Sequence, residues 1–182
     1  MKKYNIHENN ENNENIINYL SNLTKQILML DYGYVSRKTG KKILVKDYKT
    51  QFKRFEKEYK YLSPNEVKKY KIAICFDVVN YLINIIKKDK YLKINVGRNI
   101  KCIFCHNSKT YDSHTFLIIR YSGKFYFLTY DYKYVYSFTS RLEYTKFIKK
   151  KYNYFIEYID TNYGESYGDF MYSKLATILN QK

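Results

Sequence analysis

The hydrophobic pattern of this chain changes period near its middle, and that change limits the fold more than any other feature. The first half carries an amphipathic helix ending before Gly33, because apolar residues recur at helical spacing at Ile16, Leu20, Leu23, Ile27 and Leu30. The second half instead carries β-branched and aromatic runs typical of strands. Helices followed by strands predict an α+β fold, with N-terminal helices and then an antiparallel sheet.

Local signals predict the individual elements. A helix start is indicated by Ser63-Pro64-Asn65-Glu66, which combines a Ser N-cap, Pro at the first helical position and Glu three residues after the cap. Other helices are expected over 47–60, from Cys75 onward, over 141–151 and over 165–179. A hairpin turning at Gly40 would join 32–36 to 42–46, and Ser122-Gly123 would form a two-residue turn. The remaining strands are predicted at 92–96, 101–105, 114–121, 124–130 and 154–159.

The length of 182 residues fits one domain with a core of its own. Residues 1–15 are polar and Asn-rich, which predicts a disordered or loosely packed tail before a single domain at 16–182. No run approaches the roughly 20 apolar residues of a membrane-spanning helix, and the N-terminus does not resemble a signal peptide. We therefore expect a cytoplasmic protein without a membrane partner.

The chain is strongly basic, with 33 Lys and Arg against 17 Asp and Glu and a formal net charge of +16. Such a charge favours phosphate backbones and acidic surfaces. However, only five of the basic residues are Arg, and the lysines are spread along the chain rather than grouped in one patch. Nucleic acid is therefore a possible partner through the Lys-rich surface, although an AT-rich coding sequence produces the same bias.

Three cysteines, Cys75, Cys102 and Cys105, make an odd number, which is a poor basis for a disulfide framework and allows a free reactive thiol. The spacing of Cys102 and Cys105, followed by His106, is compatible with a zinc knuckle. Strand alternation would put the two thiols on opposite faces, and no second Cys pair is present. No metal site and no cofactor are predicted.

Cys75 and His114 are the candidate reactive pair. Cys75 lies where an apolar helix should begin, and the positive end of a helix favours a thiolate. His114 stands at the start of the first strand of a downstream hairpin, from which an imidazole can reach another element. Each residue alone has an ordinary structural explanation, because free Cys is commonly buried and a lone His is commonly structural.

The blocks Ser63-Pro64-Asn65-Glu66, Ile74-Cys75-Phe76-Asp77, Ser113-His114-Thr115-Phe116-Leu117 and Gly123-Lys124-Phe125-Tyr126-Phe127 resemble a small transglutaminase-like cysteine family with a papain-like fold, encoded in bacterial, phage and plasmid genomes. The resemblance spans roughly residues 60 to 135. It implies a Cys75 nucleophile, a His114 base and a bacterial or phage-infected cell as the setting.

The third member of the implied triad is Asp131, with Thr129 as its rival. In the family an acidic residue ends the aromatic strand, where Thr129 stands here, and Asp131 is the next carboxylate with the same strand parity. The resemblance gives Asp77 a role in supporting the helix start rather than in catalysis.

The resemblance implies an acyl-transfer enzyme, a peptidase, amidase, deamidase or transglutaminase, acting on a protein or peptide. Ala73 and Phe76 depart from the Gly and Trp of the family pattern. The alternative is therefore a catalytically degenerate member that binds nucleic acid or an acidic host protein through its basic surface.

Overall fold

The computed structural model describes residues 11–46, 51, 54–55, 57–97, 99–110, 112–129 and 135–158. Five helices are described from end to end: α1 (Glu11–Leu28), α2 (Pro64–Tyr70), α3 (Cys75–Lys88), α4 (Lys90–Asn95) and α5 (Arg141–Lys149). The strands are β1 (Asp31–Ser36), β2 (Lys42–Leu44), β3 (Tyr59–Lys60), β4 (Ile72–Ala73), β5 (Ile100–His106), β6 (Ser113–Tyr121), β7 (Lys124–Leu128), β8 (Tyr136–Phe138) and β9 (Tyr154–Tyr158). These elements confirm the predicted α+β class.

A small sheet forms around β1. This strand pairs antiparallel with β2 along one edge, while its other edge pairs antiparallel with β3 and parallel with β4. The predicted hairpin is confirmed, with Gly40 in its turn at a φ of +66°. Gly33 is required by close packing, since a Cβ there would lie 2.2 Å from the carbonyl oxygen of Ile43.

The larger sheet is antiparallel throughout, with strand order β8-β7-β6-β5-β9. Between β6 and β7 the chain turns at Ser122 and Gly123, whose φ values are 47° and 74°. Two consecutive positive φ values are the geometry that matches the twist of a tight hairpin. The predicted two-residue turn is confirmed.

Alternate residues of the larger sheet enter different cores. On one face, Leu117 and Ile119 pack with the apolar residues of α1 and α3. On the other face, Phe116 and Ile118 pack with α5 through Tyr144 and Ile148. We call these the α3 face and the α5 face of the sheet. A smaller core joins β1 to the start of α3 and contains Tyr34, Val45, Phe55, Tyr59, Ile74, Cys75, Phe76 and Phe104.

The predicted start of α2 is confirmed as a capping box. The Ser63 hydroxyl accepts a hydrogen bond from the Glu66 N–H at 3.3 Å, and the Glu66 carboxylate accepts one from the Ser63 N–H at 3.0 Å. These two backbone donors at the helix entry are therefore satisfied by side chains three positions away.

The prediction of a strand at Leu92–Val96 is wrong, because Leu92–Asn95 belongs to helix α4 and Val96 is its C-cap. Asp89 caps that helix by accepting a hydrogen bond from the Leu92 N–H at 2.9 Å. A short apolar run does not distinguish strand from helix by itself, and here the N-cap decides.

Helix α1 and the helix predicted over 47–60 also differ from the sequence prediction. Helix α1 begins at Glu11, ahead of the expected start at Ile16. The helix predicted over 47–60 is only partly described, and its end is strand β3, which pairs with β1. The helix predicted over 165–179 lies outside the described residues. In the part of the chain that is described, every helix is too short or too polar to cross a lipid bilayer.

Candidate active site

Cys75 is the first residue of helix α3. The chain reaches it through β4 and through Ile74, which has extended backbone and forms the N-cap position of the helix. The thiol is buried, with 6% of the residue exposed, and lies at the end of the helix where backbone N–H groups are unsatisfied by the helix itself. These donors and the aligned peptide dipoles favour an anion at this position.

The start of α3 is held by Asp77, which is buried completely. One carboxylate oxygen accepts hydrogen bonds from the Tyr59 hydroxyl at 2.9 Å and the Leu62 N–H at 3.0 Å, and the other accepts from the Ile74 N–H at 3.2 Å. Burial raises the pKa of Asp77 to about 7, although the three donors act in the opposite direction. This carboxyl therefore joins β3, the following loop and the helix entry beside Cys75.

A small cavity of about 70 Å³ opens next to the Cys75 thiol. Aromatic rings from β1 and from the helical segment around residue 55 form much of its wall, and the residues just before and at the start of β6 form another part. It is lined by Tyr32, Phe55, Ile74, Cys75, Phe76, Asp112 and Ser113. A reactant bound here would lie against the amino end of α3.

His114 lies on β6 and is buried, with its ring bound to a neighbouring strand. Its Nε2 atom is 2.6 Å from the Thr129 hydroxyl, just beyond the end of β7. Its backbone carbonyl accepts a hydrogen bond from the Cys105 thiol at 3.4 Å. The structure therefore brings His114 together with Thr129, the predicted rival for the third position, whereas Asp131 lies outside the described residues.

The His114 ring lines a second and larger cavity, of about 160 Å³, on the α5 face of the sheet. We call it the α5 cavity. Its apolar wall consists of Phe116, Phe127, Phe147, Ile148 and Tyr152. Its polar residues are His114, Lys150 and Lys151.

Cys75 and His114 thus line different cavities. Ser113 belongs to the cavity of Cys75, and alternation along β6 turns the next side chain, His114, toward the α5 face. The phenylalanine two residues further on, Phe116, stacks on the His114 ring with centroids 5.8 Å apart and packs in the α5-face core. The Cys75, His114 and Asp131 triad stays a prediction.

Cys102 and Cys105 lie on opposite faces of strand β5, as predicted. Cys102 packs in the α3-face core and Cys105 in the α5-face core, so one ion cannot be held by both thiols without rebuilding β5. Within the described ranges no cluster of three or more His, Cys, Asp or Glu side chains has the arrangement of a metal site.

Sequence reasoning missed Tyr59 as a partner of Asp77 and Ser113 as a neighbour of Cys75. The Tyr59 contact spans 18 residues and has no local signature. The position of Ser113 could have been read from strand alternation, because residues 113, 117 and 119 share a parity and the latter two are apolar and buried against α3.

Comparison with known proteins gives one distant structural likeness. No protein-family model matches the sequence, and no curated protein matches it. Among solved structures, the chain is similar to Legionella pneumophila LapG, with 11% sequence identity and a TM-score of 0.46, over 89% of this chain and 84% of LapG. At this level the likeness concerns the course of the backbone, and no residue role is transferred from it.

Proposed function

We propose that this chain is a cysteine-dependent acyl-transfer enzyme with Cys75 as its nucleophile and His114 as its base. The observation that carries the proposal is the position of Cys75, which begins a 14-residue buried helix and borders a cavity. A thiol at the amino end of a helix is in a setting that stabilises the attacking thiolate. The third member would be Asp131 or Thr129, and the 2.6 Å contact of His114 with Thr129 supports the latter.

The proposed reaction needs only side chains and the substrate carbonyl. The Cys75 thiolate attacks an amide carbon of a protein or peptide and forms a C–S bond, and the amine leaves with a proton from His114. Water or another amine then attacks the thioester and breaks the C–S bond, with His114 accepting its proton. The backbone N–H of Cys75 and its neighbours in α3 would hold the oxyanion.

This mechanism requires the His114 imidazole to reach the Cys75 thiol. The Nε2 atom is engaged by Thr129, so the proposal assigns Nδ1 to the thiol. Cys75 and His114 line different cavities, so a contact between the thiol and the imidazole is what the proposal adds to the geometry described above. The reactivity of Cys75 is therefore the quantity to measure.

The test is the rate of iodoacetamide labelling as a function of pH, with the modified cysteine identified by mass spectrometry. We expect Cys75 to react faster than a free peptide thiol below pH 8, and His114→Ala to remove that advantage. Cys102→Ser and Cys105→Ser are matched controls, since both thiols are fully buried within β5 and should not change the rate. The proposal would be contradicted if Cys75 of the wild type reacted no faster than the peptide thiol.

A second candidate function is a catalytically degenerate member that binds nucleic acid or an acidic protein. The observation that favours it is that Cys75 and His114 line separate cavities. Its signature is binding that weakens steeply with salt and is unchanged by Cys75→Ser. Failure to bind DNA, RNA or an acidic protein at low salt would exclude this candidate.

A further inference from the structure

The α5 cavity has rigid apolar walls that no step of the proposed reaction uses. Phe127 is in ring contact with Phe116, at 4.7 Å between centroids, and with Phe147, at 5.9 Å. These contacts join β6, β7 and α5, and Ile148 from the same helix is buried beside them. Aromatic side chains fixed on three elements make a preformed cavity rather than a gap between mobile residues.

The size and chemistry of the cavity specify what fits inside it. Its volume of about 160 Å³ is close to that of the engineered apolar protein cavity of roughly 150 Å³ that binds benzene. A wall of Phe, Ile and Tyr offers water few hydrogen-bond partners, whereas it gives an aromatic ring dispersion and edge-to-face contacts. A group the size of a phenyl ring is therefore the best occupant of the interior.

The rim adds a charge requirement. Lys150 and Lys151 follow the end of α5, are exposed, and line the cavity together with His114. None of the described residues that line the cavity is acidic. An anionic group attached to the ring would thus be attracted by the positive charges of these two residues, while a cationic group would be repelled.

We infer that the α5 cavity is a binding site for a small aromatic carboxylate, with the ring inside the cavity and the carboxylate against Lys150 and Lys151. The ring of such a ligand would contact the His114 imidazole. The inference does not depend on acyl transfer, because it uses neither Cys75 nor any reaction at it.

The chain contains a matched control for the two lysines. Lys68 and Lys69 are likewise consecutive, exposed and at the end of a helix, and they too are followed by a tyrosine. The Nζ atom of Lys69 lies 5.2 Å from the centre of the Tyr70 ring, and that of Lys151 lies 5.2 Å from the centre of the Tyr152 ring. Replacing either pair by Gln removes the same charge from an exposed site near a helix end, but only Lys150 and Lys151 border the cavity.

The experiment is an NMR titration of the full chain with benzoate, followed through the Ile148 methyl and His114 ring signals. We expect both signals to move, with a dissociation constant on the order of millimolar. The Lys150→Gln/Lys151→Gln double variant should bind benzoate roughly three- to tenfold more weakly, by the usual strength of exposed ion pairs. Benzyl alcohol should bind more weakly than benzoate, and benzylamine should not move the two signals.

The control variant Lys68→Gln/Lys69→Gln should bind benzoate like the wild type, and so should Cys75→Ser. Equal weakening in both lysine variants would mean that benzoate responds only to net charge, and would overturn the inference. So would benzylamine moving the Ile148 and His114 signals as strongly as benzoate, or benzoate leaving them unmoved at tens of millimolar. Because Cys75→Ser retains the cavity, failure of the acyl-transfer proposal leaves this result intact.

Discussion

Replacement of Asp77 by Asn should change how the stability of this protein depends on pH. The pKa of this buried carboxyl is about 7, against an ordinary value of 3.8. Between these values the folded state holds a proton that the unfolded state has released, so stability falls as pH rises through this window and is level above it. At about 1.4 kcal/mol per pKa unit, the full effect is about 4 kcal/mol, of which about 3 kcal/mol falls between pH 5 and 8.

Urea denaturation followed by circular dichroism at pH 5, 6, 7 and 8 measures this dependence. The wild type should lose stability across the series relative to Asp77→Asn, because the amide does not titrate. The variant also loses an acceptor for the Ile74 or Leu62 N–H, which lowers its stability by a similar amount at every pH. The diagnostic quantity is therefore the difference in the free energy of unfolding between the two proteins as a function of pH. Groups that titrate alike in both proteins cancel in this difference.

Tyr59→Phe provides a second variant, which keeps the Asp77 carboxyl but removes a hydrogen bond that stabilises its ionised form. The Tyr59 hydroxyl donates to Asp77 and stabilises its ionised form, so its removal should raise the pKa of Asp77 further and extend the loss of stability to higher pH. At pH 8, where the carboxylate is most ionised, Tyr59→Phe should therefore cost more than at pH 5. A stability difference between wild type and Asp77→Asn that stays constant from pH 5 to 8 would refute the reasoning.

Three substitutions test the local geometry by urea denaturation. Ser63→Ala removes the side-chain acceptor of the Glu66 N–H and should cost about 1 kcal/mol; no measurable loss would contradict the capping role. Gly33→Ala should cost roughly 3 kcal/mol or more, because the new Cβ would lie 2.2 Å from the Ile43 carbonyl oxygen. Gly123→Ala should cost only about 1 kcal/mol, since its φ of +74° is strained for Ala but no atom lies within 4 Å of the new Cβ. If Gly33→Ala proved no more destabilising than Gly123→Ala, the close approach of β1 and β2 would be in question.

The predictable parts of this fold are those governed by near neighbours. The capping box at Ser63 and the turn at Ser122-Gly123 involve side chains or backbone angles within a few residues, so the sequence contains all the interacting groups. The strand predicted at Leu92–Val96 is wrong, although the signal that decides this segment is also local. Its apolar residues suit either a strand or a buried helix, and the deciding N-cap, Asp89, precedes it.

The candidate site was predictable only in part. The contact of His114 with Thr129 is present, whereas the shared parity of Thr129 and Asp131 stays a prediction because Asp131 lies outside the described residues. Tyr59 was expected on a helix, but pairing with β1 draws it into strand β3, where its hydroxyl reaches Asp77. That outcome depends on two elements that meet only when the chain folds.

The sequence by itself determined the α+β class, the helix start that carries Cys75 and the alternation that gives neighbouring residues of β6 opposite directions. Only the tertiary structure decided that α3 packs on the face of the sheet shared by Leu117 and Ile119, and that α5 covers the face shared by Phe116 and His114. The reason is physical: backbone periodicity is a local property, whereas the choice of face is made by apolar side chains far apart in the sequence that are buried together.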